Sequence, residues 1–168
     1  MARTLGSEEL PHVKERLAEL MTYTEVMKAS LRAAETDARR DQWGVMCPDE
    51  LPLEAIRTLF MSVYPRMVEI LQLLGSSSFM ALPSEADFET PLAAEIERYL
   101  ATDTATARER VQLFHLAWDV ACSAFGGRQV LYERFFAGDP LARAGFLYSL
   151  YPKEPLMERV REFLGKDN

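Results

Sequence analysis

The sequence predicts an all-α fold, an antiparallel helical bundle, and three observations predict it. Apolar residues recur at steps of three and four over most of the chain. No alternating apolar/polar run of useful length appears, and proline and glycine fall mainly at the edges of the periodic stretches.

The first helix is expected from Pro11 to about Arg40, with Val13, Leu17, Leu20, Thr24, Met27, Leu31, Ala34 and Ala38 on one face. Pro11 suits a first turn, where its missing N–H has no intrahelical partner to lose. Gln42 to Pro52 reads as a loop. A second helix, about Leu53 to Leu74, carries the stripe Ile56, Leu59, Phe60, Val63, Met67, Ile70, Leu71 and Leu74; Pro65 should kink it and Gly75 should cap it. The serine-rich stretch Ser76 to Glu89 reads as irregular, and loops of that length inside a compact domain are more often functional than decorative. Thr90-Pro91 opens a short third helix to about Leu100, with threonine as N-cap. The fourth and longest helix is expected from about Thr104 to Phe136, with Ala107, Val111, Phe114, Trp118, Ala121, Cys122, Phe125, Tyr132 and Phe135 inward. Asp139-Pro140 starts another short helix. Pro152 and Pro155 lead into a terminal one with Leu156, Val160, Phe163 and Leu164 inward.

The whole chain, 1–168, reads as one helical-bundle domain, and its bulk properties narrow its functions. Hydrophobic residues make up 48% and charged residues 27%, which excludes disorder. A net charge of −7 argues against a nucleic-acid partner, which needs a clustered basic face; the densest cluster is Arg39-Arg40, followed at once by Asp41. No apolar stretch approaches the roughly 20 residues of a spanning helix, so no membrane association is expected. The N-terminus lacks a signal-peptide pattern, and Cys47 and Cys122 follow no metal or redox spacing. A cytoplasmic protein with two reduced thiols is expected.

No residue set announces catalysis by itself, and no catalytic or metal site is assigned. Neither His12 nor His115 has the glutamate three residues earlier that a di-iron bundle needs; His115 is expected to be half-buried with its polar atoms satisfied. The alternating acids Glu85, Asp87 and Glu89 fit a solvated loop better than an oxygen-ligated metal. There is no nucleophile elbow, P-loop or strand-borne G-x-G-x-x-G. Two features stand out. Gly126-Gly127, placed in mid-helix, would cost roughly 1 kcal/mol each relative to alanine, and such a cost is normally offset by a close approach to the backbone. That approach is either a neighbouring helix or a ligand such as a pyrophosphate, and Arg128 and Gln129 beside the glycines favour the ligand. The second feature is Gly138-Asp139-Pro140-Leu141-Ala142-Arg143, where a helix N-terminus either holds an anion or is simply capped by Asp139.

Several stretches resemble the C-terminal domain of the flavin-dependent 4-hydroxyphenylacetate 3-monooxygenase family. They are His12 to Leu20, Tyr64-Pro65-Arg66, Ala81 to Asp87, and above all the block Trp118 to Ala121 and Phe125 to Pro140. The resemblance implies the C-terminal helical bundle of an acyl-CoA dehydrogenase-like fold, assembling as a homo-oligomer (dimer or tetramer). It implies reduced FAD supplied by a separate flavin reductase, reaction with O₂, and hydroxylation of a phenol ortho to its hydroxyl. It carries FAD contacts onto Gly126, Gly127, Arg128, Gln129, Asp139, Pro140, Leu141 and Arg143. The N-terminal and central β-domains of the family, where the phenol is recognised, are absent from this sequence. With those domains absent the chain alone is expected to be inactive, and Ala2 to Gly6 looks like the tail of a bundle helix cut short by Met1. Gly75-Ser76-Ser77-Ser78 is richer in serine than the family's glycine run. Two other readings compete: a cofactor-free helical module for self-association or partner binding, and a fragment of a related flavin-dependent dehydratase acting on a CoA thioester.

Overall fold

The computed structural model describes residues 1–165. Seven α-helices follow in order: α1 (Pro11–Thr36), α2 (Glu50–Gly75), α3 (Ala93–Leu100), α4 (Ala107–Ala121), α5 (Ala124–Phe135), α6 (Pro140–Leu150) and α7 (Glu154–Phe163). The expected all-α bundle is what forms, with α2 in the middle against α1, α4, α5 and α6. No helix among the described residues is long and apolar enough to cross a membrane.

Helix α1 begins at Pro11 as expected but stops at Thr36, one turn early. Turn chemistry takes the chain out of the helix. Asp41 Oδ1 accepts from the amides of Trp43 and Val45, both at 2.9 Å, and Gly44 sits at φ +81°. The result is a small antiparallel hairpin in which β1 (Arg39–Arg40) replaces the end of the expected first helix and β2 (Met46–Cys47) lies in what reads from sequence as a loop.

Helix α2 starts at Glu50 because Asp49 caps it, accepting from Leu51 N. It continues through Pro65 to Gly75. Its buried face differs from the expected stripe: Met61 and Val68 join Val63 and Ile70 inside, while Leu59 is exposed. Arg66 makes a two-pronged contact to Glu19 of α1, Nε and one terminal nitrogen donating at 2.8 Å each. Tyr23 O–H donates to the same carboxylate at 2.7 Å. Tyr64-Pro65-Arg66 and His12 to Leu20, read from sequence as separate stretches, thus meet in one clip. The hydrogen bonds from Arg66, then from Tyr23, hold the Glu19 carboxyl down to about 2.

The serine-rich stretch is not irregular as expected, and part of it packs into the core. It forms two 3₁₀ turns, Ser76–Ala81 and Glu85–Glu89. Phe79 enters the core edge-on to Phe114 and Trp118, with ring centroids 5.7 and 6.1 Å away. Met1, Leu5, Leu82 and Cys122 close the same cluster. Gly75 is the last residue of α2 rather than its cap, and it is glycine because the Phe79 ring lies where a Cβ would be. The cap is Ser76, at φ +46° and ψ −143°, a conformation suited to glycine. The alternating acids are also accounted for: Glu85 and Glu89 pair with Arg108, and Asp87 bonds Ser84.

Helix α3 begins two residues later than Thr90-Pro91 predicts; Thr90 accepts from Leu92 N through its hydroxyl and from Ala93 N through its carbonyl, organising a preceding turn instead. Helix α4 starts at Ala107, where Thr106 and Glu109 exchange bonds in a capping box. His115 is exposed rather than half-buried, and its Nε2 donates to the Pro83 carbonyl at 2.9 Å. Cys47 and Cys122 are free thiols, and burial pushes the Cys122 thiol up.

The largest departure is the fourth helix, which is two. The chain breaks at Cys122–Ser123, and α5 sets off with Ser123 as its N-cap, accepting from Gly126 N at 3.0 Å. The break resets the helical phase, so Phe125, Tyr132 and Phe135, predicted inward, are exposed. The terminal helix departs likewise: Leu156, Val160, Phe163 and Leu164 all face out, Phe163 at 90% exposure.

Replacing Ser76 with glycine should relieve the left-handed backbone and raise stability by about 1 kcal/mol, read as a higher Tm. Gly75→Ala should lower it, because the Phe79 ring must move. The Glu19 clip carries a pH signature. A depressed carboxyl stabilises fully above its ordinary value of 4.5 and loses that contribution as pH falls toward 2. The stability gap between the parent and Glu19→Gln, measured by urea unfolding, should therefore be constant above about pH 5 and shrink steadily below pH 4.5.

Candidate functional site

The predicted site residues fall into two patches at opposite ends of α5. Gly126, Gly127, Arg128 and Gln129 lie in its first turns, not in the middle of a long helix. Asp139, Pro140, Leu141 and Arg143 lie in the capped first turn of α6. From Gln129, the last residue of the first patch, to the end of α5 at Phe135 the helix rises about 9 Å, and the second patch lies beyond that end.

The two glycines have different reasons. A Cβ on Gly126 would lie 2.5 Å from the Val120 carbonyl oxygen and 2.9 Å from that of Asp119. Gly126 is therefore explained by the sharp turn from α4 into α5, where the chain's own backbone makes the close approach. Gly127 has no atom within 4 Å of its would-be Cβ. Its bare flank is open to solvent, and Arg128 beside it is exposed and makes no ion pair among the described residues. Gln129 is occupied within its own helix, donating to Glu133 at 2.7 Å.

At the other end, Asp139 caps α6 by accepting from Ala142 N at 2.9 Å, and Pro140 takes the first helical position. Capping is thus the observed use of that aspartate. Leu141, 80% exposed, projects beside it. Arg143 turns inward to an ion pair with Glu54 of α2, so its terminal nitrogens face a buried carboxylate rather than solvent. Between α2, α5 and α6 opens a cleft of about 410 Å³, bordered by Thr58, Met61, Ser62, Arg134 and Pro140. The Thr58 hydroxyl is buried there with no hydrogen-bond partner.

Sequence reasoning missed Glu54, Thr58, Ser62 and Arg134. Glu54 breaks the apolar periodicity of α2 on its inner face, and that interruption was the available signal. Among the described residues no group of three or more His, Cys, Asp or Glu is placed to hold a metal.

The profile of the family described as 4-hydroxyphenylacetate 3-hydroxylase, C terminal, matches residues 1–165. The chain belongs to this family. The hydroxylase-family domain is 45% identical over 164 residues to the oxygenase component of 4-hydroxyphenylacetate 3-monooxygenase from Thermus thermophilus, covering 98% of this chain and 34% of that protein. It is likewise 45% identical to the oxygenase component of the same name from a Geobacillus species, covering 98% of this chain and 33% of that one. The domain therefore spans about a third of the length of the curated relatives it matches. A crystal structure of the oxygenase component complexed with FAD and 4-hydroxyphenylacetate superposes with a TM-score of 0.93 at 44% identity, over 98% of this chain and 35% of that one. An archaeal 4-hydroxybutyryl-CoA dehydratase superposes at 0.84 with 18% identity, over 99% of this chain and 34% of that one; this likeness shows a shared fold alone.

The paired glycines should respond differently to alanine. Gly126→Ala should cost about 2 kcal/mol, because backbone rather than a flexible side chain must give way. Gly127→Ala should be neutral or stabilising by up to about 1 kcal/mol in the isolated chain, since alanine suits a helix better and meets nothing. Thermal unfolding of the two variants side by side decides this.

Proposed function

We propose that this chain is the FAD-contacting and assembly domain of a two-component flavin-dependent phenol monooxygenase of the 4-hydroxyphenylacetate 3-hydroxylase type. The observation that carries the reading is 45% identity sustained over 98% of the chain, on a fold that superposes closely on an oxygenase complexed with FAD and 4-hydroxyphenylacetate. In that role the chain provides no catalytic residue and is inactive alone. A separate reductase supplies reduced FAD, and the phenol is bound by parts of the enzyme outside this domain.

The residues present fit a dinucleotide. Gly127 offers bare backbone, and Arg128 beside it offers a fork of donors suited to phosphate oxygens. The start of α5 is capped by a neutral serine, which leaves its partial positive charge for an anion. Gln129 borders this patch and Gly126 shapes it. The start of α6 already holds its own carboxylate, so Asp139 with Pro140 and Leu141 suits hydroxyl and apolar parts of the cofactor rather than phosphate. Arg143 belongs to this second patch as its support, not as its contact surface. When bound, reduced FAD supplies the electrons for activating O₂; the chain's own part is to hold and orient the cofactor.

Assembly into a homo-oligomer follows from the uncovered apolar side. Phe125, Leu131, Tyr132, Phe135 and Phe136 of α5 and its end, with Leu141 of α6, are each at least half exposed, and apolar side chains clustered along one element favour a partner surface. The same observation favours a second reading, a cofactor-free self-association module, and FAD binding separates the two.

Arg128→Ala should weaken FAD binding about tenfold, corresponding to about 1.4 kcal/mol, with helicity unchanged. Flavin fluorescence titration and circular dichroism of the chain, repeated after mixing with the missing N-terminal and central domains, measure both. Unaltered affinity removes Arg128 from the site. Self-association without any flavin binding, in either sample, establishes the second reading instead.

A further inference from the structure

Glu54 is a charged side chain only 3% exposed, in the seam between α2 and α6. Both its oxygens are engaged, Oε1 by Arg57 one turn along α2 and Oε2 by Arg143 of α6. The path of Arg143 is defined at several points. Its backbone N–H bonds the Asp139 carbonyl at 3.0 Å, and its Cδ lies 3.6 Å from where a Cβ on Gly138 would stand. Its guanidinium lies over the Phe146 ring, 5.2 Å from the centroid. Gly138 itself holds φ +110°, a conformation closed to ordinary side chains.

A buried ion pair is a weak source of stability, because two apolar side chains of similar volume fill such a seam without the desolvation cost. What the pair adds is direction. A guanidinium held at one terminal nitrogen by a fixed carboxylate, with its stem against Gly138 and its plane over Phe146, has little freedom to swing, and here it hangs from the first turn of α6. The Thr58 hydroxyl, one turn after Glu54, is buried in the same seam without a hydrogen-bond partner, and the ion pair to Glu54 is the charged contact that the Arg143 guanidinium makes among the described residues.

We propose that Glu54 is a positioning residue: its buried carboxylate, acting through Arg143, sets the orientation of the Gly138-Asp139-Pro140 corner that borders the cleft between α2, α5 and α6. The consequence for cofactor affinity rests on the function proposed above; the orientation of the corner does not.

Hydrogen exchange and flavin titration on the whole chain test this with two variants, Glu54→Gln and the apolar pair Glu54→Met/Arg143→Met. In Glu54→Gln, the amides of Ala142 and Arg143 should exchange at least tenfold faster, while those of Phe114 and Ala117 in α4 keep the parent rate. The apolar pair should recover the parent Tm yet leave the corner amides fast and FAD binding about tenfold weaker. Should Glu54→Gln fail to fold, the apolar pair alone decides. A uniform rise in exchange through α4, or restored corner protection in the apolar pair, overturns the proposal by reducing Glu54 to packing. If the parent chain binds no flavin but the corner amides respond selectively, the cofactor reading falls and the positioning role stands.

Discussion

The architecture depends on α2 being tied by polar contacts on three sides while its apolar surface is buried among its neighbours. Near its start Glu54 reaches Arg143 of α6. In its middle Arg66 grips Glu19 of α1. Near its end Gln72 donates to the Ala121 carbonyl, the last residue of α4, at 2.6 Å. Hydrophobic burial is non-directional, so a central helix packed by apolar contacts alone could rotate or slide against its neighbours. Three polar contacts at successive heights remove that freedom and fix which residues of α5 and α6 face the cleft.

The two patches assigned to cofactor binding inherit their positions from this arrangement. The Gln72 contact holds the end of α4, and Gly126 lets α5 leave at a sharp angle immediately beyond it. The first turn of α5, with Gly127 and Arg128, is thereby presented to solvent. The second patch is placed by the return of the chain at Gly138 and by the Glu54–Arg143 pair. One patch is positioned through backbone close-packing and the other through a buried charge, and α5 is the spacer between them.

Much of the fold was legible because periodicity and caps are local. The Pro11 start, the Asp139-Pro140 start and the apolar face of α4 up to Ala121 all follow from residues within a few positions of each other, whereas of the expected α1 stripe Val13 and Ala34 are buried and Thr24 and Leu31 are exposed. The break at Cys122–Ser123 was not, because the apolar spacing runs through it without a gap. The available signal was Ser123 followed three residues later by Gly126, a cap written inside an apparently continuous stripe. The Phe79 core plug was also invisible, since its partners Phe114 and Trp118 lie more than thirty residues away. The family was legible from sequence, and the glycine pair and the α6 corner could be put forward there as candidates for the site. Their separation could not, nor could the inward turn of Arg143, because both depend on where α2 lies.

The uncovered aromatic side of α5 through α7 bears on what the word stability means for this chain. In the homo-oligomer proposed above, copies would cover that surface, and association that favours the folded form makes the measured melting point climb with protein concentration. A dilute sample and a concentrated one then report different thermodynamic quantities for the same sequence, and a value for this domain has meaning only with the amount of protein stated beside it.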